Sequence, residues 1–259
     1  MAKVGWIDTH THLAYHELDK LDDNIAYAAQ HDVQDIVAIA LTKEEYVYHT
    51  SLKERYPSVR IHTTCGAHPA EVYKWSEDKF NTFMSELETM DIIAIGEIGL
   101  DYYWDKENHE LQKQRFIAQI KLANKLKLPI LIHCRDAFED CLKILQEHTP
   151  EYHGIMHCYS GSAEMAIEFL KVGMDISLAG PLTFTNARVP KEVAKIVPLE
   201  RLHIETDAPY LTPHPFRGKK NQTGYVHFVG EELSRIKNMH ESDVKNQLGL
   251  NFKRLLIKN

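Results

Sequence analysis

In IDTHTHL, residues 7–13, His10 and His12 stand one residue apart just after a short apolar run. Glu97 lies in the otherwise apolar GEIG, His133 in IHCRD, His157 in HCYSG, and Glu205 and Asp207 in ETDAP. A buried carboxylate such as Glu97 or Asp207 is costly unless a partner or a cation offsets its charge. Two imidazoles on one face repel when protonated and have little packing value, so His10 and His12 read as a metal pair. Taken singly, His133 and His157 read as ordinary hydrogen-bonded strand-end histidines. The joint set of His10, His12, Glu97, His133, His157 and Asp207 has no good structural explanation, and it points to metal.

Four histidines and two carboxylates, without thiolates, suit Zn, Mn, Fe or Ni. They exceed the about three or four protein ligands that one catalytic ion takes, so two ions bridged by a carboxylate are the natural solution. Paired ions about 3.5–4 Å apart clamp the attacking and leaving oxygens of a phosphoester and make hydroxide available near neutral pH. The same scaffold can attack an amide or a heterocyclic C–N bond. Ligand counting therefore predicts hydrolysis without choosing the substrate.

Elements must bring these residues together. Eight short β-rich runs alternate with helical patterns: KVGWID, QDIVAIA, VRIHTTC, DIIAIGE, LPILIHC, HGIMHC, GMDISLA and RLHIETD. Such alternation marks βα units around a parallel sheet. In HELQKQRFIAQIKLANKLK, Phe116, Ile117, Ile120 and Ala123 form one apolar stripe with charges elsewhere, which predicts a helix with one buried face. A proline-rich loop and two helical stretches follow the eighth run, the first starting near Tyr225. The predicted fold is α/β, a single (β/α)8 TIM barrel with extra C-terminal helices over residues 1–259; a doubly wound open sheet is the competing arrangement. A barrel places its active site at the C-terminal mouth of the strands, where most of these runs end in histidine or carboxylate. Strand alternation pairs His10 with His12, and Glu205 with Asp207.

In order along the chain, DTHTHL, GAHP, GEIGLDYY, LPILIHCRD, HCYSGS, GPLTFTNA, LHIETDAPYL and RGKKNQ resemble the signature segments of the TatD family of metal-dependent deoxyribonucleases, within the amidohydrolase-like barrels. The resemblance runs from Ile7 to about Asn221, and a helical region of plausible length follows. It implies a distorted TIM barrel with two divalent ions per chain, drawn from Zn, Mn, Mg, Ni and Fe. It implies that His10, His12 and Asp207 hold one ion and His133 and His157 the other, with Glu97 bridging them. By the same resemblance His68 and Glu205 contact substrate or assist proton transfer, so Glu97, Glu205 and Asp207 are the candidate catalytic carboxylates. An orienting role behind a ligand imidazole is the equal alternative for Glu205. For His68 the alternative is a plain loop histidine.

Substrate contacts are expected from Arg135, facing a phosphate while Asp136 caps the next helix, and from Arg217 and Lys219 in the basic run at 217–221. Tyr102, Tyr103 and Trp104 either stack on unpaired bases or pack against the barrel rim. The wording departs from the family at Ala70, where a second histidine commonly stands, and at Asn221, Gln222 and Thr223, which replace an NEP-like run. Both departures touch substrate contacts and leave the ligand set intact.

The 259 residues, 44% hydrophobic and 26% charged, are enough for a large core. A net charge of −7 excludes holding nucleic acid by a general positive field, so such a substrate must be gripped locally or through metal. Cys65, Cys134, Cys141 and Cys158 form no CxxC pair, and no segment approaches the roughly 18 apolar residues of a membrane helix. The expectation is a cytoplasmic protein with reduced thiols, no membrane association and no obligate protein partner. The leading function is an exonuclease on DNA, single-stranded or with frayed ends. The alternative is an amide or ester hydrolase such as a D-aminoacyl-tRNA deacylase, and a metal-dependent binding module without catalysis comes third.

Overall fold

The computed structural model describes residues 4–257; Lys3, which opens the first predicted strand run, lies outside them. The eight runs form eight parallel strands in the order of the chain: β1 (Trp6–Thr11), β2 (Val33–Ala40), β3 (Arg60–Cys65), β4 (Ile95–Asp101), β5 (Ile130–Arg135), β6 (Gly154–Met156), β7 (Met174–Leu178) and β8 (Leu202–Ile204). Helices α1 (Leu18–Gln30), α2 (Lys43–Arg55), α3 (Pro69–Val72), α4 (Glu77–Leu87), α5 (His109–Leu126), α6 (Phe138–Glu147), α7 (Ala163–Lys171) and α8 (Arg188–Ile196) fill the connections, and α9 (Val226–Lys237) and α10 (Glu241–Leu256) follow β8. Strands covered on both faces read as apolar runs rather than alternations, and every residue of β2 except Gln34 is buried. Several helices begin where a hydroxyl satisfies a free backbone donor: Thr42 accepts from the N–H of Glu45, Ser76 from Lys79 and Ser162 from Met165. Among the described residues no helix is long and apolar enough to cross a membrane.

The sheet closes, which excludes the doubly wound alternative, and it closes unevenly. β8 is three residues long, so the segment beyond it completes the seam with β1. Thr11 bridges to Ala208, the N–H of Asp207 donates to the carbonyl of His10 at 2.9 Å, and the N–H of His12 donates to that of Ala208 at 2.8 Å. The buried Asp8 carboxylate tightens the same seam, accepting from the Thr206 N–H at 2.8 Å and from the hydroxyls of Thr206 and Thr223 at 2.6 Å each. On the other side, β3 and β4 pair only where Cys65 meets Ile95. Inside the barrel Ile7, Val37, Ile39, Leu131 and Ile155 pack with Phe252, Leu255 and Leu256 of α10. The last helix thus seals the N-terminal end, and each such burial contributes about 1.5–3 kcal/mol. This leaves the C-terminal end open.

Two local expectations need correction. Asp136 does not cap α6: Ala137 precedes the first turn without a side-chain cap, and Asp136 itself is left-handed at φ 54°. A short carboxylate tolerates that conformation, so the residue serves the turn instead. In α5, Phe116, Ile120 and Ala123 are buried as expected, but Ile117 is half-buried and the polar Gln112, Arg115 and Gln119 share the buried face. They are buried because loop backbone at the barrel mouth lacks partners of its own. Arg115 donates to the carbonyls of Val72 and Trp75, and Gln119 donates to the carbonyl of Ala67 while accepting from its N–H at 2.7 Å.

Candidate active site

Glu97 is the centre of the mouth. It is 2% exposed, and five imidazoles surround its carboxylate: His157 Nε2 at 2.6 Å, His133 Nδ1 at 2.9 Å, His10 Nε2 at 3.4 Å, His68 Nε2 at 3.5 Å and His12 Nε2 at 3.8 Å. His10 and His12 reach it from the end of β1, where the register against β2 shifts between Asp8 and Thr11, so simple alternation does not carry through. Their rings nevertheless lie 5.2 Å apart, and His10 stacks on His157 at 3.9 Å. Asp207 approaches His12 at 3.5 Å and His10 at 3.8 Å. It sits past the end of β8 with φ 54°, so the seam to β1 and its own turn aim it, not strand alternation. β4 can lie this close to β5 because Gly99 has φ +138° and no side chain. A Cβ there would come 2.0 Å from the carbonyl oxygen of His133.

Two further carboxylates hold the outer nitrogens of this cluster. Glu205 Oε1 lies 3.2 Å from His157 Nδ1, and Asp101 Oδ2 lies 2.8 Å from His133 Nε2. Glu205 is fully buried and off the cavity wall, a placement that suits orienting His157. Asp101 was not singled out from the sequence. The signal available was a second carboxylate ending the same apolar run as Glu97. Gln112 fixes its backbone, accepting from the Asp101 N–H at 2.8 Å and donating to its carbonyl at 2.9 Å. Asn221 and Thr223, where the sequence departs from the NEP-like run, hold the opposite wall. Asn221 donates to the carbonyls of Thr206 and Tyr210, and Thr223 to Asp8.

Charge decides what the cluster can accept. Burial alone raises a carboxyl, yet the imidazoles of His157, His68 and His10 hold Glu97 well below its ordinary value. Burial lowers His10 and His68, whereas Glu97 and Glu205 outweigh it at His157 and hold that imidazole well above its usual value. Among the described residues, every ion pair of Glu97, Asp101, Glu205 and Asp207 is to a histidine. With His10 and His68 pushed toward the neutral form, the histidines alone do not balance four carboxylates. Both ring nitrogens of His10 and Oε2 of Glu205 are buried without a hydrogen-bond partner. Orphaned lone pairs in an anionic pocket fit divalent cations. Three groups with ligand atoms within 4.8 Å of one another are able to hold a metal: His10, His12 and Asp207; His10, His157 and Glu205; and His68, Glu97 and His133.

The cluster floors a cavity of about 940 Å³. His68 and Arg135 line its wall, as does Lys74, which the sequence did not suggest. Arg217 and Lys219 lie off that wall: Arg217 packs over Phe184 at 4.4 Å and Lys219 over Phe216 at 5.5 Å. Tyr102 packs against His109 with its hydroxyl on Asp140, whereas Tyr103 and Trp104 stay exposed.

A family model described as TatD related DNase matches residues 7–257. The chain belongs to the TatD family. YabD of Bacillus subtilis strain 168, named an uncharacterized metal-dependent hydrolase, is 42% identical over 251 residues, which span 96% of this chain and 97% of YabD. YcfH of Escherichia coli K12, named in the same way, is 35% identical over 258 residues, covering 96% and 94%. The crystal structure of YjjV, a TatD homolog from Escherichia coli K12, matches with a TM-score of 0.90 at 28% identity over 98% of each chain. This member of the TatD family is a metal-dependent hydrolase on a TatD barrel, and its mouth holds the donor groups such an enzyme needs.

Proposed function

We propose that this TatD-family hydrolase cleaves phosphodiester bonds of DNA, removing nucleotides from an unpaired strand end. The observation that carries this reading is the position of Glu97, one carboxylate within 4 Å of five imidazoles at the base of an open cavity. That position suits a bridge between two divalent ions, one held by His10, His12 and Asp207 and the other by His133 and His157. When bound, such ions supply Lewis-acid stabilisation of phosphoryl charge and an activated water. The chain's own residues do the rest. Arg135 on the cavity wall anchors a phosphate, Asp101 and Glu205 fix the orientation of His133 and His157, and His68 faces the reacting group beside Glu97. Asp207, ionised and partly open to the cavity, accepts the proton lost by water as the water oxygen bonds to phosphorus, and returns a proton to the sugar oxygen as its P–O bond breaks.

The test is release of nucleotides from end-labelled single-stranded DNA with Mg, Mn or Zn, alongside metal content, in wild type and Glu97→Ala. Near two ions per chain, with release lost in the variant, is the expected result. No cleavage with any metal overturns the reading, and a far higher kcat/KM on a D-aminoacyl ester moves the assignment to acyl bonds.

A further inference from the structure

The turn after β4 presents aromatic surface that the fold does not use. Trp104 is 65% exposed and Tyr103 45%, with their rings 4.8 Å apart and nearly perpendicular. The turn is nevertheless firmly held. Asp101 Oδ1 accepts from the backbone N–H of Tyr103 at 3.0 Å and of Trp104 at 2.8 Å, and the N–H of Tyr102 donates to the carbonyl of Arg135 at 3.0 Å. Tyr102 finds a packed place beside them; the next two residues are turned outward. Arg135 lies over this pair, its guanidinium carbon 3.7 Å from the Tyr103 ring centre and 5.6 Å from that of Trp104. Among the described residues, no carboxylate or carbonyl accepts from that guanidinium. Its planar fork of donors is therefore free to meet a phosphate through two oxygens.

Position gives the pair its meaning. Trp104 and Arg135 line the same cavity as Glu97 and His133. One residue, Asp101, joins the two features, since its Oδ1 pins the aromatic turn while its Oδ2 meets His133 Nε2. In strand order the turn lies across the barrel from the seam of β8 and β1, where Tyr15 and Tyr210 flank His12. A nucleic-acid strand entering at that seam and crossing the histidine cluster would meet Trp104 on the same cavity wall.

We propose that Trp104, Tyr103 and Arg135 form a binding subsite for one unpaired nucleotide next to the scissile bond, the indole stacking on its base and the guanidinium meeting its phosphate. This rests on the nuclease reading above and deepens it. A base inside a duplex has both faces covered by its neighbours, so only a single strand or frayed end offers a face to the indole. The subsite thus selects unpaired DNA by shape, without reading sequence.

The test compares two probes, a fluorescein-labelled, phosphorothioate-linked eight-nucleotide thymidylate strand and an abasic strand of equal length, binding the metal-loaded full-length protein by anisotropy. Trp104→Ala weakens the thymidylate strand roughly five- to a hundredfold and leaves the abasic strand unchanged, and Trp104→Phe restores most of the loss. Arg135→Ala weakens both strands. Equal binding of both strands by wild type and Trp104→Ala overturns the subsite, as does wild type that binds neither. Wild type that shows the predicted base dependence yet releases no nucleotide from ordinary DNA breaks the hydrolytic reading and leaves the subsite standing.

Discussion

At the floor of the barrel, Asp35 of β2 accepts from Arg60 and His62 at the start of β3, and Asp175 of β7 accepts from Arg201, from His203 at 3.0 Å, and from Arg254 of α10. At the mouth, among the described residues, the ion pairs of Glu97, Asp101, Glu205 and Asp207 are to histidines alone. Both ends bury carboxylates, but the floor supplies permanent positive charge from the short segments RIH and RLH, whereas the mouth supplies only imidazoles, of which burial pushes His10 and His68 toward the neutral form. The floor is electrostatically complete as folded. The mouth stays short of positive charge until cations arrive, which is why the same residue class means stability at one end and chemistry at the other.

The comparison breaks most decisively at Glu97. Glu97→Ala should lower DNA cleavage at least about 10³-fold, because several kcal/mol of transition-state stabilisation go with the ions it helps hold. Bound metal, measured by elemental analysis, should fall with it. An active Glu97→Ala enzyme would put the chemistry elsewhere. Asp101→Asn sharpens the same point one residue further out. Losing the carboxylate behind His133 should weaken metal affinity about 10–100-fold, read by competition with a chromophoric chelator, while the fold in chelator is unchanged. Unaltered affinity would make Asp101 a support for the aromatic turn alone.

Much of this was legible in the sequence. All eight strands were visible as apolar runs, because burial on both faces leaves a composition signal that needs no partner to be seen. His10, His12, Glu97, His133, His157 and Asp207 stood out as polar residues ending such runs, and the structure brings all six together. What stayed hidden depends on contacts between distant segments. Gln112 and Gln119 read as the polar side of a helix, since nothing local says that loop backbone lies against them. Arg217 and Lys219 looked like mouth residues by sequence position, yet neither lines the cavity and each lies over an aromatic ring. Asp136 had the right residue type for a cap, but the left-handed turn at the end of β5 takes it out of capping geometry.

At the floor the expected effects are on stability rather than rate. Asp175→Asn should cost about 2 kcal/mol in urea unfolding and leave both metal affinity and activity per folded molecule unchanged, since Arg201 and Arg254 stay partly hydrated. Metal should add stability only at the other end. At a hundredfold excess over Kd the gain is about 2.7 kcal/mol, and it should survive Asp175→Asn and vanish in Glu97→Ala. A metal increment that depended on Asp175 would join the two ends into one system.

The smallest effect distinguishes charge from shape at the floor. Burial raises the Asp175 carboxyl, but His203, Arg201 and Arg254 outweigh it and bring it down to about 2. A carboxylate held low in the folded state contributes stability that is fully present above its unfolded value, roughly 3.9, and is lost as pH falls through the folded one. The difference of about two units corresponds to roughly 2–3 kcal/mol, gone between about pH 4 and pH 2. Wild type and Asp175→Asn should therefore differ by that amount at neutral pH and converge as the acid limit is approached. A gap that stayed constant with pH would mean that the amide is penalised for its shape and hydrogen bonds, and the account of the floor as a charge-matched counterpart to the mouth would fail at its best-buried pair.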